Sequence, residues 1–168
     1  EAAEDPDGAS YIRWALRRGV DPNHDYKGSR AIDYVMYTLF GGCSPPLEPF
    51  EALAHSGVDL DRGRGSGLLG FAAEECRRPD LVLILLAARA DPARAGGYDG
   101  LVRQLGDAVY RAAARGLWTW LLDHRAAPCA ALGSIDDPGS MLRRLTTGGL
   151  ADLTERATAA CLAKRAAK

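Results

Sequence analysis

A chain of 168 residues carrying 21 Lys and Arg against 22 Asp and Glu has length enough for one domain with its own core, and a net charge of −1 gives no global pull toward nucleic acid or an anionic membrane. No apolar run approaches the ~20 residues of a membrane-spanning helix, and the acidic start EAAEDPDGAS is unlike a secretory leader. The cysteines Cys43, Cys76, Cys129 and Cys161 are widely spread and form no CxxC pair, which predicts reduced thiols in an intracellular setting, cytoplasmic or nuclear.

Residues 1–10 are polar, hold a DPDG turn signal and read as a loose N-terminal segment. The first helix is expected over 11–18, with Tyr11, Ile12, Ala15 and Leu16 inward, ended by Gly19 and followed by a projecting turn at 21–27. A helix over 31–40 stops at Gly41-Gly42, and Ser44-Pro45-Pro46 leads into another over 47–56 with Phe50, Leu53 and Ala54 in the core. A third pair covers 68–77 and 80–88, broken at Pro79. Its run Leu81-Val82-Leu83-Ile84-Leu85-Leu86 is apolar nearly all round, so that helix should be buried on more than one side.

Residues 93–103, with Gly96, Gly97 and Gly100, read as a long projecting finger before a fourth pair at 104–115 and 117–124, packed through Trp118, Leu121 and Leu122. Beyond Pro128 the pattern weakens. Asp136-Asp137-Pro138 can start a helix through Met141, Leu142 and Leu145 that stops at Gly148-Gly149. A last helix is expected from Leu150, with Leu153, Ala157, Ala160 and Cys161 on one side and Lys164, Arg165 and Lys168 at the negative end of its dipole.

The ends of the second helices recur. Gly19-Val20-Asp21, Gly57-Val58-Asp59, Arg89-Ala90-Asp91 and Arg125-Ala126-Ala127 stand 38, 32 and 36 residues apart, a period that with two helices and a turn per unit marks a helical solenoid. These residues resemble the ankyrin repeat. Its Gly-x-Thr-Pro-Leu-His-x-Ala opening maps onto residues 28–35 and 65–72, and its Leu-Leu-x-x-Gly-Ala-Asp-x-Asn ending onto 15–23. The openings lack the family's Thr and His, and Arg89 and Arg125 stand where glycine usually takes the left-handed position.

The resemblance implies an all-α, ankyrin-like solenoid with β-turn fingers and a C-terminal helical cap. It divides the chain into a half repeat at 11–24, repeats at about 25–61, 62–92 and 93–128, and capping helices at 129–168. Opening on Glu1 and on a half repeat, the chain is expected to be a piece of a longer protein.

No constellation in the chain points to chemistry. Gly65-Ser66-Gly67-Leu68-Leu69-Gly70 matches G-x-G-x-x-G but follows no strand, so it reads as a structural turn, and no nucleotide or other cofactor is expected. His24, His55 and His124 lie near helix ends without the short ligand spacing a zinc site needs. Glu74-Glu75 and Asp136-Asp137 are adjacent in sequence, so on a helix they diverge and cannot share a proton. Asn23 stands where the family can be hydroxylated, but is read as an Asn bonding its own turn.

What the resemblance implies instead is non-catalytic recognition of a protein partner by a monomeric concave surface. The register then gives three pairs facing the groove: Tyr34 with Tyr37, Phe71 with Glu74, and Asp107 with Tyr110, with Arg111 beside the last. Tyr26, Arg62, Arg64 and Tyr98 are expected on the projecting turns.

Overall fold

The computed structural model describes residues 8–37, 43–62, 67–133 and 139–167, which are helical or turn throughout, with no strand among them. Ten α-helices follow one another: α1 (Gly8–Arg17), α2 (Ala31–Tyr37), α3 (Leu47–Ala54), α4 (Gly67–Glu74), α5 (Pro79–Ala87), α6 (Gly97–Gln104), α7 (Arg115–Asp123), α8 (Cys129–Leu132), α9 (Met141–Thr147) and α10 (Ala151–Ala166). Short 3-10 turns lie at Pro92–Ala95, Gly106–Tyr110 and Ala112–Ala114 among the described residues. None of these helices is long and apolar enough to cross a membrane.

Packing follows chain order. α1 lies on α3, α3 on α5, α5 on α7 and α7 on α10, while α4 lies on α6 and α6 on α8. α2 is paired with α3 and α4 with α5. One continuous cluster of buried apolar side chains runs from Ile12 through Phe50, Leu69, Leu85, Leu105 and Trp118 to Ala157. The α5 run is buried on two sides as its composition requires: Leu81, Val82, Leu85 and Leu86 are inside, and Leu83 and Ile84 are half-buried.

Helix ends are local chemistry. After α1, α5, α7 and α9 the amides of Val20, Ala90, Ala126 and Leu150 bond back to the carbonyls of Ala15, Leu85, Leu121 and Leu145, at 3.2, 3.0, 2.8 and 3.0 Å. The residue before each takes φ of 82° (Gly19), 71° (Arg89), 55° (Arg125) and 83° (Gly149), so the two arginines do adopt the left-handed conformation glycine would favour.

Several expectations are corrected. α1 starts at Gly8, with Gly8, Ala9 and Ile12 buried, which turns Tyr11 to the outside, where it stacks on Trp14 at 5.6 Å. The finger expected at 93–103 is a 3-10 turn leading into α6: Gly96 and Gly97, with φ of 79° and 70°, make a tight turn, and burial of Leu101 and Val102 draws α6 into the core. Gly100 lets that helix press on the Ala95 carbonyl, where a Cβ would collide. The helix expected at 104–115 is replaced by 3-10 turns, because Gly106 turns left-handed (φ 55°) and Arg111 is extended.

α8 has no counterpart among the expected helices, and α9 is capped by Ser140, whose hydroxyl accepts from the Arg143 amide; the expected start at Asp136–Pro138 lies outside the described residues. β-structure among the described residues is confined to an isolated antiparallel bridge between Tyr26 and Ser29, closed over Lys27 and Gly28.

All four cysteines are paired, Cys43 with Cys76 and Cys129 with Cys161, which overturns the reading of reduced thiols and does not fit a reducing setting. The two bonds join residues 33 and 32 apart in sequence.

Candidate interaction surface

The face on α2 is built from a seven-residue helix that buries Ile32, Val35 and Met36 and turns Tyr34 and Tyr37 outward, 47% and 43% exposed. Three residues apart, the tyrosines share one side of the helix. The Tyr37 ring meets Phe71 of α4 edge-on, with centroids 4.6 Å apart. Phe71 is half-buried against the core and forms the floor between α2 and α4, with Glu74 exposed one turn on. Burial, then the Asp33 carboxylate, push the Tyr37 phenol above its ordinary range, so it remains a neutral hydrogen-bonding group at neutral pH.

The foot of this face is fixed by a residue that sequence reading passed over. Arg30 is only 2% exposed, yet every arm of its guanidinium is occupied. Nε and one terminal nitrogen donate to the Asp33 carboxylate at 2.7 and 2.8 Å, and the terminal nitrogens also donate to the carbonyls of Asp59 and Arg62 (3.1 Å for Arg62) in the next turn. The same carboxylate accepts from the Arg30 amide at 3.1 Å, capping α2. Hydrogen bonding to Asp33 outweighs burial and holds the Arg30 charge more firmly than usual. The signal was present as Arg-x-x-Asp across a helix start, but only the folded chain shows that the arginine also reaches 29 and 32 residues ahead.

Around this anchor lies a concavity of about 420 Å³ lined by Asp25, Arg30, Asp33, Tyr37 and Arg62. Arg62 donates to Asp25 at 3.1 Å across successive turns, and Tyr26 projects alongside, 67% exposed, with the Lys27 ammonium 5.1 Å from its ring centre. Tyr26, Tyr34, Tyr37, Phe71 and Arg62 therefore belong to one neighbourhood of the chain's first half.

Other expected residues do not join them. Asp107 and Tyr110 lie on a 3-10 turn, not on a helical face, and both are engaged by Arg144 of α9. Its guanidinium bonds Asp107 at 3.0 Å and lies 4.7 Å from the centre of the Tyr110 ring. Arg111 is exposed beside them. Tyr98 is on α6, half-buried against the core with its ring 6.4 Å from Trp120, so it is not on a projecting turn. Arg64 lies outside the described residues. Asn23 bonds the following turn instead of its own: its carbonyl accepts from the Asp59 amide at 2.7 Å and its amide donates to the Gly57 carbonyl at 3.4 Å. Compared with known families, curated proteins and solved structures, the chain matches none.

Proposed function

We propose that the chain is a non-catalytic recognition module, an ankyrin-like stack of helix pairs, that binds a protein partner through the face formed by Tyr34, Tyr37 and Phe71, with Tyr26 and Arg62 at its rim. The stacking is supported by bonds that recur about one unit apart. Asp61 accepts from the Asp91 amide, Asp99 from the Ala131 amide, and Arg115, Arg144 and Arg156 reach Asp152, Asp107 and Asp123, at separations between 30 and 37 residues. Arg30 and Asp33, standing where the ankyrin opening carries Thr and His, give α2 an equivalent cap and brace.

The observation that carries the reading is the exposure of two tyrosines on a helix immobilised from below. Tyrosine offers large contact area at low entropic cost, and a fixed helix has little left to lose on binding. The partner is a protein or peptide with apolar side chains for the Tyr37–Phe71 floor; the module acts as a monomer and needs no cofactor.

Selection of a displayed random-peptide library on the immobilised chain tests this. Tyr34→Ala with Tyr37→Ala should weaken the selected peptides by at least roughly 30-fold, the loss of a binding hot spot, with helical content and melting point nearly unchanged. Undiminished binding would place the site elsewhere, and failure to select any peptide favours a spacer between other domains.

A further inference from the structure

We infer that the trough between α1 and α3 is a second docking site, fitted to one amphipathic helix of a partner protein that carries acidic side chains along one flank of its apolar stripe and basic side chains along the other. The trough has a volume of about 800 Å³. Its α1 wall is basic: Arg13 and Arg17, four residues apart, share one side of that helix and are exposed. Its α3 wall is acidic: Glu48 and Glu51, three residues apart, are exposed likewise. Leu16 and Ala52, half-buried against the core, make the floor apolar.

These charges are unspent. At the far end of the same row of helices opposite charges close across the contact: Arg115 of α7 pairs with Asp152 of α10, and Arg156 of α10 with Asp123 of α7, each at 2.7 Å. Across the trough they do not. Among the described residues neither Arg13 nor Arg17 is paired with Glu48, Glu51 or any other carboxylate. Arg17 stands in the last turn of α1 and Glu48 in the first turn of α3, where each helix dipole favours its charge without a partner. Both walls therefore keep their bonding capacity for groups brought from outside.

The charge pattern selects the occupant. A partner of one sign, such as nucleic acid or an anionic membrane, is attracted by one wall and repelled by the other. A second copy of this chain would bring two ridges, its own α1 and α3, to a trough between adjacent helices that seats one. An apolar stripe flanked by an acid on one side and a base on the other is how paired helices fix partner and orientation. With ten residues in α1 and eight in α3, the trough seats about two turns of such a helix. The site lies on α1 and α3, whereas the tyrosine face lies on α2 and α4, so it does not rest on the function proposed above.

Fluorescence anisotropy with labelled, stapled helices of about 14 residues tests this, the staple supplying helicity that so short a peptide lacks. All carry a leucine stripe; one has glutamates on one flank and lysines on the other, a second glutamates on both, a third lysines on both. The native chain should bind the mixed helix at least about tenfold tighter than either control, each of which meets like charge at one wall. Arg13→Glu/Arg17→Glu should transfer the preference to the all-lysine helix, and Glu48→Lys/Glu51→Lys to the all-glutamate helix. Arg13→Gln/Arg17→Gln, the milder change to α1, should bring the all-lysine helix level with the mixed one. Added salt should shrink every preference. Equal binding of the three helices by native and altered chains, or binding of none, would overturn the site. Displacement of the mixed helix by peptides selected on the tyrosine face would overturn it too. So would a native chain that sediments as a dimer and is split by the same charge reversals, for the trough would then hold a second copy.

Discussion

In the left-handed region the Cβ of any residue but glycine crowds the backbone, and Arg89 and Arg125 both stand there, with φ of 71° and 55°. Both side chains are exposed at the ends of α5 and α7, so neither is needed for burial. Arg89→Gly and Arg125→Gly should each stabilise the chain by about 0.5–1 kcal/mol, the relief of steric crowding less the extra freedom glycine brings to the unfolded state. Urea unfolding checks this, and the two gains should add, since the sites are separate turns of the chain. No gain would mean that the arginines hold contacts worth as much as the strain.

The same residue scale shows what sequence could reveal. The recurring Gly or Arg at these ends marks the turn geometry correctly because the constraint is local to one residue's φ. Arg30 escapes notice because its partners are the backbone carbonyls of Asp59 and Arg62, which no side-chain pattern advertises.

At the scale of elements, legibility depends on how continuous the apolar signal is. α3, α5 and α7 fall nearly where the sequence places them, since each buries several large side chains and begins or ends on Pro, Gly or Arg. The stretch from Gly96 to Arg111 is ambiguous in sequence because its glycines signal equally well a finger and a sharp turn between short helices. The burial of Leu101, Val102 and Leu105 decides for the latter. This shift also explains why Asp107 and Tyr110 do not line a groove helix.

α5 itself carries a pH prediction. Burial raises the Asp80 carboxyl, but hydrogen bonding and charge from Arg78 more than reverse this, leaving it below its usual 3.8. A carboxylate depressed by folding adds stability that is present above the unfolded pKa and is lost as pH falls through the folded one. Acid unfolding should therefore steepen below about pH 4, near the unfolded carboxylate value, and Asp80→Asn should flatten that limb. Asp152 is likewise depressed, by hydrogen bonding to Arg115, but that pair is largely in water. Asp152→Asn should change the acid limb less, because solvent screens the exposed pair. Equal effects from the two substitutions would show that the Arg78–Asp80 grip at the start of α5 has no special weight.

For the whole molecule, the cysteines matter most. Spacing alone could not reveal their pairing, because the distance that counts is through space, between segments 33 and 32 residues apart that the fold brings together. The second bond ties α8, only four residues long, to Cys161 in α10, the last helix against α7. α8 buries Leu132, and its Ala131 amide donates to the Asp99 carboxylate, which is little to hold so short an element. Because α10 packs on α9 and α7 and α8 on α6 and α9, weakness at this end should stay near it. Cys129→Ala/Cys161→Ala should cost up to about 3–4 kcal/mol, the chain-entropy value for closing a loop of 32 residues. The loss should show first as faster amide exchange in α8 and α10, with α3 to α5 still protected. Before that comparison, alkylation of the unreduced, denatured chain should add no group, and alkylation after reduction should add four. Free thiols in the unreduced chain would remove both staples, and an undiminished urea midpoint in the double variant would show that α8 and α10 are held by packing alone.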